Sequence, residues 1–286
     1  MEVTMKQGTT MTRFKAFAQA LLTPRNQTRF CSFFLLAVTV SACSTVPETG
    51  RRQLILLSQA EEMQMGFSSF EQLKKEVPIS NDKKLNEQLQ RVGKRIAAVA
   101  PLKDAKWEFV LFDSPDANAF CLPGGKVGIY TGILPITQDD GGLATVIGHE
   151  VAHAVARHGG ERVSQSLLLQ AGGTALGVAL SGYDPKVQSA ANQIYGLGSQ
   201  LGYALPHSRH QESEADHLGI LYMADAGYDP EHSIAFWQRF GAHNEKAGSG
   251  TPWFLRTHPL DETRIENLKS WLPKAKERYR KSSKRR

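Results

Sequence analysis

His149-Glu150-Val151-Ala152-His153 sets two imidazoles four residues apart with a carboxylate between them. On an α-helix, residues four apart lie one above the other, so His149 and His153 can share a single cation, and neutral imidazole nitrogens suit zinc. Glu150 sits beside the pair, the place for a carboxylate that deprotonates a metal-bound water instead of binding the metal. Two histidines leave zinc short, because a catalytic site needs three protein ligands and one open position. Glu212, in Glu212-Ser213-Glu214-Ala215-Asp216, is the best third ligand. Asp216, one turn later on the same face, is placed to accept the outer N–H of a ligand histidine and fix its tautomer, while Glu214 points elsewhere.

The elements that must carry these groups can be read from capping and periodicity. Ser58-Gln59-Ala60-Glu61 is a capping box opening a helix to about Glu76. Leu85, Leu89, Val92 and Ile96 mark a second helix that stops near Pro101. Trp107, Phe109 and Leu111 alternate with polar and smaller neighbours as in a strand, and Pro123-Gly124-Gly125 predicts a sharp turn between two extended pieces. The motif helix starts with Asp139 or Asp140 as N-cap and ends at Gly159-Gly160, burying Leu143, Val146, Ile147, Ala154 and Val155. Residues 164–204, rich in Ala, Gly and Leu, predict a pair of small-residue core helices rather than a membrane span. The Glu212 helix runs from about Ser208 to Gly227, Asp229-Pro230 opens the next, and residues 241–251 read as a loop. The last helix begins at Pro259 and buries Ile265, Leu268 and Trp271.

Of the 286 residues, 41% are apolar and 22% charged, which suits one large globular domain or two small ones. The cysteines, Cys31, Cys43 and Cys121, form no C-x-x-C pair, which excludes a thiolate zinc site and a redox motif. A formal charge of +6 hints at nucleic acid, but its placement argues against such a partner. Five Lys/Arg lie in residues 1–42 and eight in Lys274–Arg286, and the body between carries 21 basic against 26 acidic side chains. The basic end reads as a solvated, disordered tail, with contact to anionic lipid as the sharper alternative.

Arg25 and Arg29 precede the apolar run 30–40, which is short for a membrane span and right for the core of a signal peptide. Val40-Ser41-Ala42-Cys43 resembles the bacterial lipobox, which implies cleavage before Cys43, acylation of Cys43, and, with Ser44 behind it, sorting to the outer membrane. Several acyl chains on one residue give stable anchoring. Translation starting at Met11 would shorten the long leader.

Four separated motifs carry a wider resemblance. These are Asn118-Ala119-Phe120-x-Leu122-Pro123-Gly124-Gly125, His149-Glu150-x-x-His153, Glu212-x-x-Ala215-Asp216 and Thr257-His258-Pro259, and together they are similar to the BepA-like and HtpX-like zinc peptidases. The resemblance spans roughly residues 50–272 and implies an α+β, mostly α, gluzincin-type domain with a small sheet beside the H-E-x-x-H helix. It implies one zinc per chain held by His149, His153 and Glu212, Glu150 as catalytic base, and substrate backbone pairing with the strand Lys126, Val127, Gly128, Ile129 and Tyr130. His258 has two implied jobs: donating to the oxyanion, or filling the open position on zinc to hold the enzyme inactive. Arg264 is expected to pair with a carboxylate of the domain. His207 stands where a bulky residue is expected, and with His210 it could trap a second metal. The helical repeats of the BepA-like members are absent from residues 58–286.

The expected organisation is a signal peptide over 1–42, a lipidated tether over 43–57, a peptidase domain over 58–272 and a basic tail over 273–286. The expected function is hydrolysis of misfolded or stalled envelope proteins by an outer-membrane lipoprotein facing the periplasm. The alternative is a chaperone or assembly factor for outer-membrane proteins with low or latent cleavage. Oligomeric state cannot be read from the residues.

Overall fold

Ser58 accepts from the backbone N–H of Glu61 while the Glu61 side chain reaches back to the Ser58 N–H, and this reciprocal cap starts helix α1, Gln59–Glu76. The computed structural model describes residues 43–199, 205–247, Phe254, His258 and 262–284. Ahead of α1, strands β1 (Cys43–Thr45) and β2 (Arg52–Leu54) pair antiparallel. Helix α2, Lys83–Ala97, is capped by Asp82 and sends Leu89, Val92 and Ile96 into the core. Strands β3 (Glu108–Phe112), β4 (Ala119–Leu122) and β5 (Lys126–Tyr130) form a sheet in the order β3-β5-β4. β3 runs parallel to β5 and β4 antiparallel to it. The turn from β4 to β5 puts Gly124 and Gly125 at φ 84° and 81°, where a side chain would be strained.

A short helix α3 (Leu134–Thr137) leads to α4, Asp140–Val155, whose N-cap Asp139 accepts from the Gly142 N–H. Every residue of α4 except Asp140 and Ala154 is buried, so α4 is the central helix, enclosed on all sides. Around it stand α5 (His158–Ala179), α6 (Pro185–Ser199), α7 (Leu205–Asp225), α8 (Glu231–Ala247) and α9 (Glu262–Ser283). The crossing of α4 and α7 is made by two glycines: a Cβ on Gly148 would lie 2.9 Å from the Gly219 carbonyl oxygen, and one on Gly219 2.9 Å from the His149 nitrogen. Backbone-to-backbone contact there brings α7 side chains within ligand distance of α4. The result is the expected mostly helical α+β domain with a small sheet beside the motif helix.

Several expectations fail for identifiable reasons. The motif helix ends at Val155, and the chain turns at Arg157 in the left-handed region (φ 56°), so Gly159 and Gly160 fall in the first turn of α5. Arg157 is held in that turn by Glu62 and the Leu57 carbonyl. Helices α5 and α6 exist, but not as core: Val178 and Ile194 are 71% and 72% exposed. Their glycines seat a side chain instead, since Tyr195 lies against Gly172 and Gly173 and donates to the Leu169 carbonyl. Residues 43–57 are a packed hairpin, not a tether: Val46 and Ile55 are buried and Gln53 donates to the Ala156 carbonyl. Helix α8 continues through Ala247, into the expected loop. The basic end continues α9 through Pro273 to Ser283, because Ala275 is buried and Arg278 is paired to Asp225 and Glu48.

The leader 1–42, residues 248–253, Thr257, Pro259 and the His207 side chain lie outside the described residues. Among the described residues, no helix is long and apolar enough to cross a membrane.

Candidate metal centre

His149 and His153 project from α4 with their Nε2 atoms 3.1 Å apart. Glu212 on α7 faces both, with Oε2 3.2 Å from His149 Nε2 and Oε1 3.4 Å from His153 Nε2. His258 completes the group, its Nδ1 lying 2.9 Å from Glu212 Oε2 and 3.2 Å from His149 Nε2. Zinc bonds of 2.0–2.1 Å in a tetrahedron separate neighbouring ligand atoms by about 3.3 Å, which is the scale of these spacings. All four residues are buried, and one ligand atom from each lies within 4.8 Å of the others. Glu212 Oε1 is buried with no hydrogen-bond partner, as a metal ligand would be. The donor set of three imidazoles and a carboxylate therefore fits zinc.

Glu150 occupies the flank. Its Oε1 lies 3.5 Å from His258 Nε2 and makes no hydrogen bond. Burial raises its pKa above the usual carboxylate value, a shift toward the working range of a general base. Burial also opposes charge on Glu212, yet His153 and His258 hold it well below that range. His149 is opposed by burial in the same way, but hydrogen bonds to Asp216 and Glu212 carry it up to about 9. Burial keeps His153 well below the usual imidazole value.

Asp216, one turn after Glu212, stands behind His149. Its Oδ1 lies 3.0 Å from His149 Nδ1, which leaves Nε2 for the metal. Arg264 holds Asp216 with two hydrogen bonds of 2.7 and 2.8 Å, donates to the His258 carbonyl and stacks 4.0 Å over Trp237. Three groups near the centre were not legible in the motifs. His158 lies 2.8 Å from His153 through their Nδ1 atoms, Glu214 accepts from His158 at 3.0 Å, and Arg51 donates to Glu214 at 2.8 Å. Hydrogen bonds from His158, Thr49 and Arg51 overcome burial and hold Glu214 down to about 2. Only the nearness of His158 to the motif could have drawn attention to it; Arg51 offers no such signal. His210 is exposed and outside the cluster, so the second-metal expectation gains no support from it.

The cleft beside the cluster, about 360 Å³, is lined by Asn118 to Pro123, Glu150, His153, Arg157, Arg162 and His258. The sheet order leaves the strand expected to meet substrate without a free edge. β5, Lys126 to Tyr130, is hydrogen-bonded on both sides, to β3 and β4, and has no edge to offer. The strand whose edge faces the cleft is β4.

Comparison with known proteins agrees with this geometry. The family model described as Peptidase family M48 matches residues 83–272. The mitochondrial metalloendopeptidase OMA1 of Schizosaccharomyces pombe is 37% identical over 187 residues, covering 65% of this chain and 53% of the relative. That of Saccharomyces cerevisiae is 41% identical over 186 residues, 63% and 51% of the two chains. The beta-barrel assembly-enhancing protease of Escherichia coli is 28% identical over 232 residues, 80% of this chain and 47% of the relative. The chain spans about half the length of these relatives.

Proposed function

Because the chain belongs to peptidase family M48, we propose that it is a zinc endopeptidase that cleaves misfolded or stalled proteins of a bacterial envelope. We place it at the outer membrane, facing the periplasm, through lipid on Cys43. The observation that carries the reading is a buried His149–His153–Glu212 face with Glu150 alongside, at the foot of a cleft walled by an edge strand. For the location, support comes from the leader and Val40-Ser41-Ala42-Cys43.

When bound, zinc supplies Lewis acidity to the attacking water and the scissile carbonyl. The chain's own groups do the rest. β4 aligns the substrate backbone as an added strand, which favours extended, unfolded polypeptide over folded protein. Glu150 takes a proton from the water as the new C–O bond forms and returns it to the amine as the C–N bond breaks. Asp216 and Arg264 keep His149 Nε2 directed at the centre.

Of the two jobs open to His258, the spacing favours the restraining one. Its Nδ1 sits among the ligand atoms and its Nε2 faces Glu150, so the ring stands between the base and the ligands. The enzyme is then latent at rest, and an incoming strand must displace the ring. His258→Ala should raise the rate of cleavage of an unfolded protein, measured with purified zinc-loaded chain. A fall in rate would instead assign His258 to the oxyanion. No cleavage by either form would favour the assembly-factor reading.

A further inference from the structure

His153 is held from behind by a chain of polar groups that leaves the H-E-x-x-H motif altogether. His158, the first residue of α5, is fully buried, and its Nδ1 lies 2.8 Å from His153 Nδ1. Its other nitrogen, Nε2, lies 3.0 Å from Glu214 Oε2. The same Glu214 oxygen accepts from Arg51 Nε at 2.8 Å, and Thr49 donates to the other. Arg51 also grips Glu161 with two hydrogen bonds of 2.8 and 2.9 Å, and Gln211 donates to that carboxylate.

Hydrogen-bond polarity along this chain permits one arrangement that serves a metal. An imidazole that ligates through Nε2 must carry its proton on Nδ1, and that proton needs an acceptor. His158 Nδ1 is the atom facing it, so His158 must be protonated on Nε2, and Nε2–H then requires an acceptor of its own. Glu214 is that acceptor. Reversing the His158 tautomer would point two N–H groups or a lone pair at the wrong partner, and His153 would carry its proton on the nitrogen meant for the metal. Asp216 performs the same service for His149 directly.

We propose that Glu214 and His158 form a carboxylate–imidazole relay that fixes the tautomer of His153, and that Arg51, on the hairpin before α1, positions the relay's carboxylate. All three are positioning residues, and the proposal rests on the zinc peptidase reading. Arg51 lies outside the segment 83–272 that the family model matches, so the N-terminal hairpin becomes part of the metal centre and not merely a lead-in.

The test is zinc affinity, by chelator competition, together with the visible spectrum of the cobalt-substituted full-length chain. His158→Phe should lower zinc affinity about ten- to hundredfold and alter the cobalt bands. His158→Asn, whose amide oxygen reaches the place of Nδ1, should recover much of both. Arg51→Met should weaken zinc severalfold with secondary structure intact by circular dichroism. Unchanged affinity and spectrum in the folded variants would overturn the relay while leaving the peptidase reading in place. If His158 variants do not fold, Arg51→Met and Glu214→Met, which removes the acceptor, decide the matter alone, and wild-type behaviour in both refutes it. A wild-type chain that binds neither zinc nor cobalt sinks the peptidase reading and the relay together.

Discussion

In the proposed reaction Glu150 is the residue on which cleavage turns: it is buried, lifted in pKa by that burial, and its Oε1 makes no hydrogen bond. Its position at the flank of the ligands means that losing the charge need not cost the metal. Glu150→Gln should lower the cleavage rate by about 10²–10⁴, the usual contribution of a general base, while metal analysis still finds one zinc per chain. Loss of zinc in that variant would show that Glu150 is a ligand. Why this residue was legible and His158 was not has a geometric cause. His149, Glu150 and His153 share one unbroken helix, where spacing alone fixes direction. His158 is only five residues further, but Arg157 in the left-handed region ends the helix and redirects the chain, and no periodicity crosses such a break. Asp216 was legible because it shares α7 with Glu212, one turn away.

At the scale of elements, the site depends on how closely α4 and α7 approach. Gly148 and Gly219 allow carbonyl and amide backbone atoms to meet where any side chain would intrude, and Glu212 lies two turns from Gly219 on the same helix. Gly219→Val should push the helices apart, cost about 1–3 kcal/mol of stability and weaken zinc binding in the same variant. Thermal unfolding and chelator competition check the two effects, and a variant with native stability and affinity would remove the crossing from the argument. Two of the helix starts were written in caps, Ser58 and Asp139, which make the expected hydrogen bonds, and the structure adds Asp82 as the cap of α2. Strand order was not. Lys126 to Tyr130 is a strand as expected, yet neither local pattern nor the resemblance says whether a strand lies at an edge or in the middle of a sheet, and the edge that faces the cleft belongs to β4. Likewise, small residues in α5 and α6 signal close packing without saying against what. Here it is Tyr195, and much of the apolar surface of the pair stays exposed.

For the whole molecule, the two ends of the described chain are fastened to the same helix. Cys43 begins a hairpin whose Arg51 reaches Glu214 on α7, and only Ser44 and Thr45 separate Cys43 from buried Val46, so lipid there would hold the domain close against a bilayer. On the proposed lipidation, Cys43→Ala should move the protein out of the membrane fraction, and unchanged fractionation would remove the lipid from the proposal. The basic C-terminus closes the same structure from the other side, with Arg278 paired to Asp225 at the end of α7 and to Glu48 in the hairpin. Partly exposed pairs of this kind are each worth about 0–1 kcal/mol, and the buried Ala275 adds to them. Deleting residues 274–286 should then cost about 2 kcal/mol and lower the melting temperature by about 4–8 °C. A tail whose role is contact with anionic lipid makes the opposite prediction, an unchanged melting temperature and weaker binding to anionic vesicles. Measuring both on one truncated chain separates the two, and the packing of Ala275 and the pairing of Arg278 favour the loss of stability.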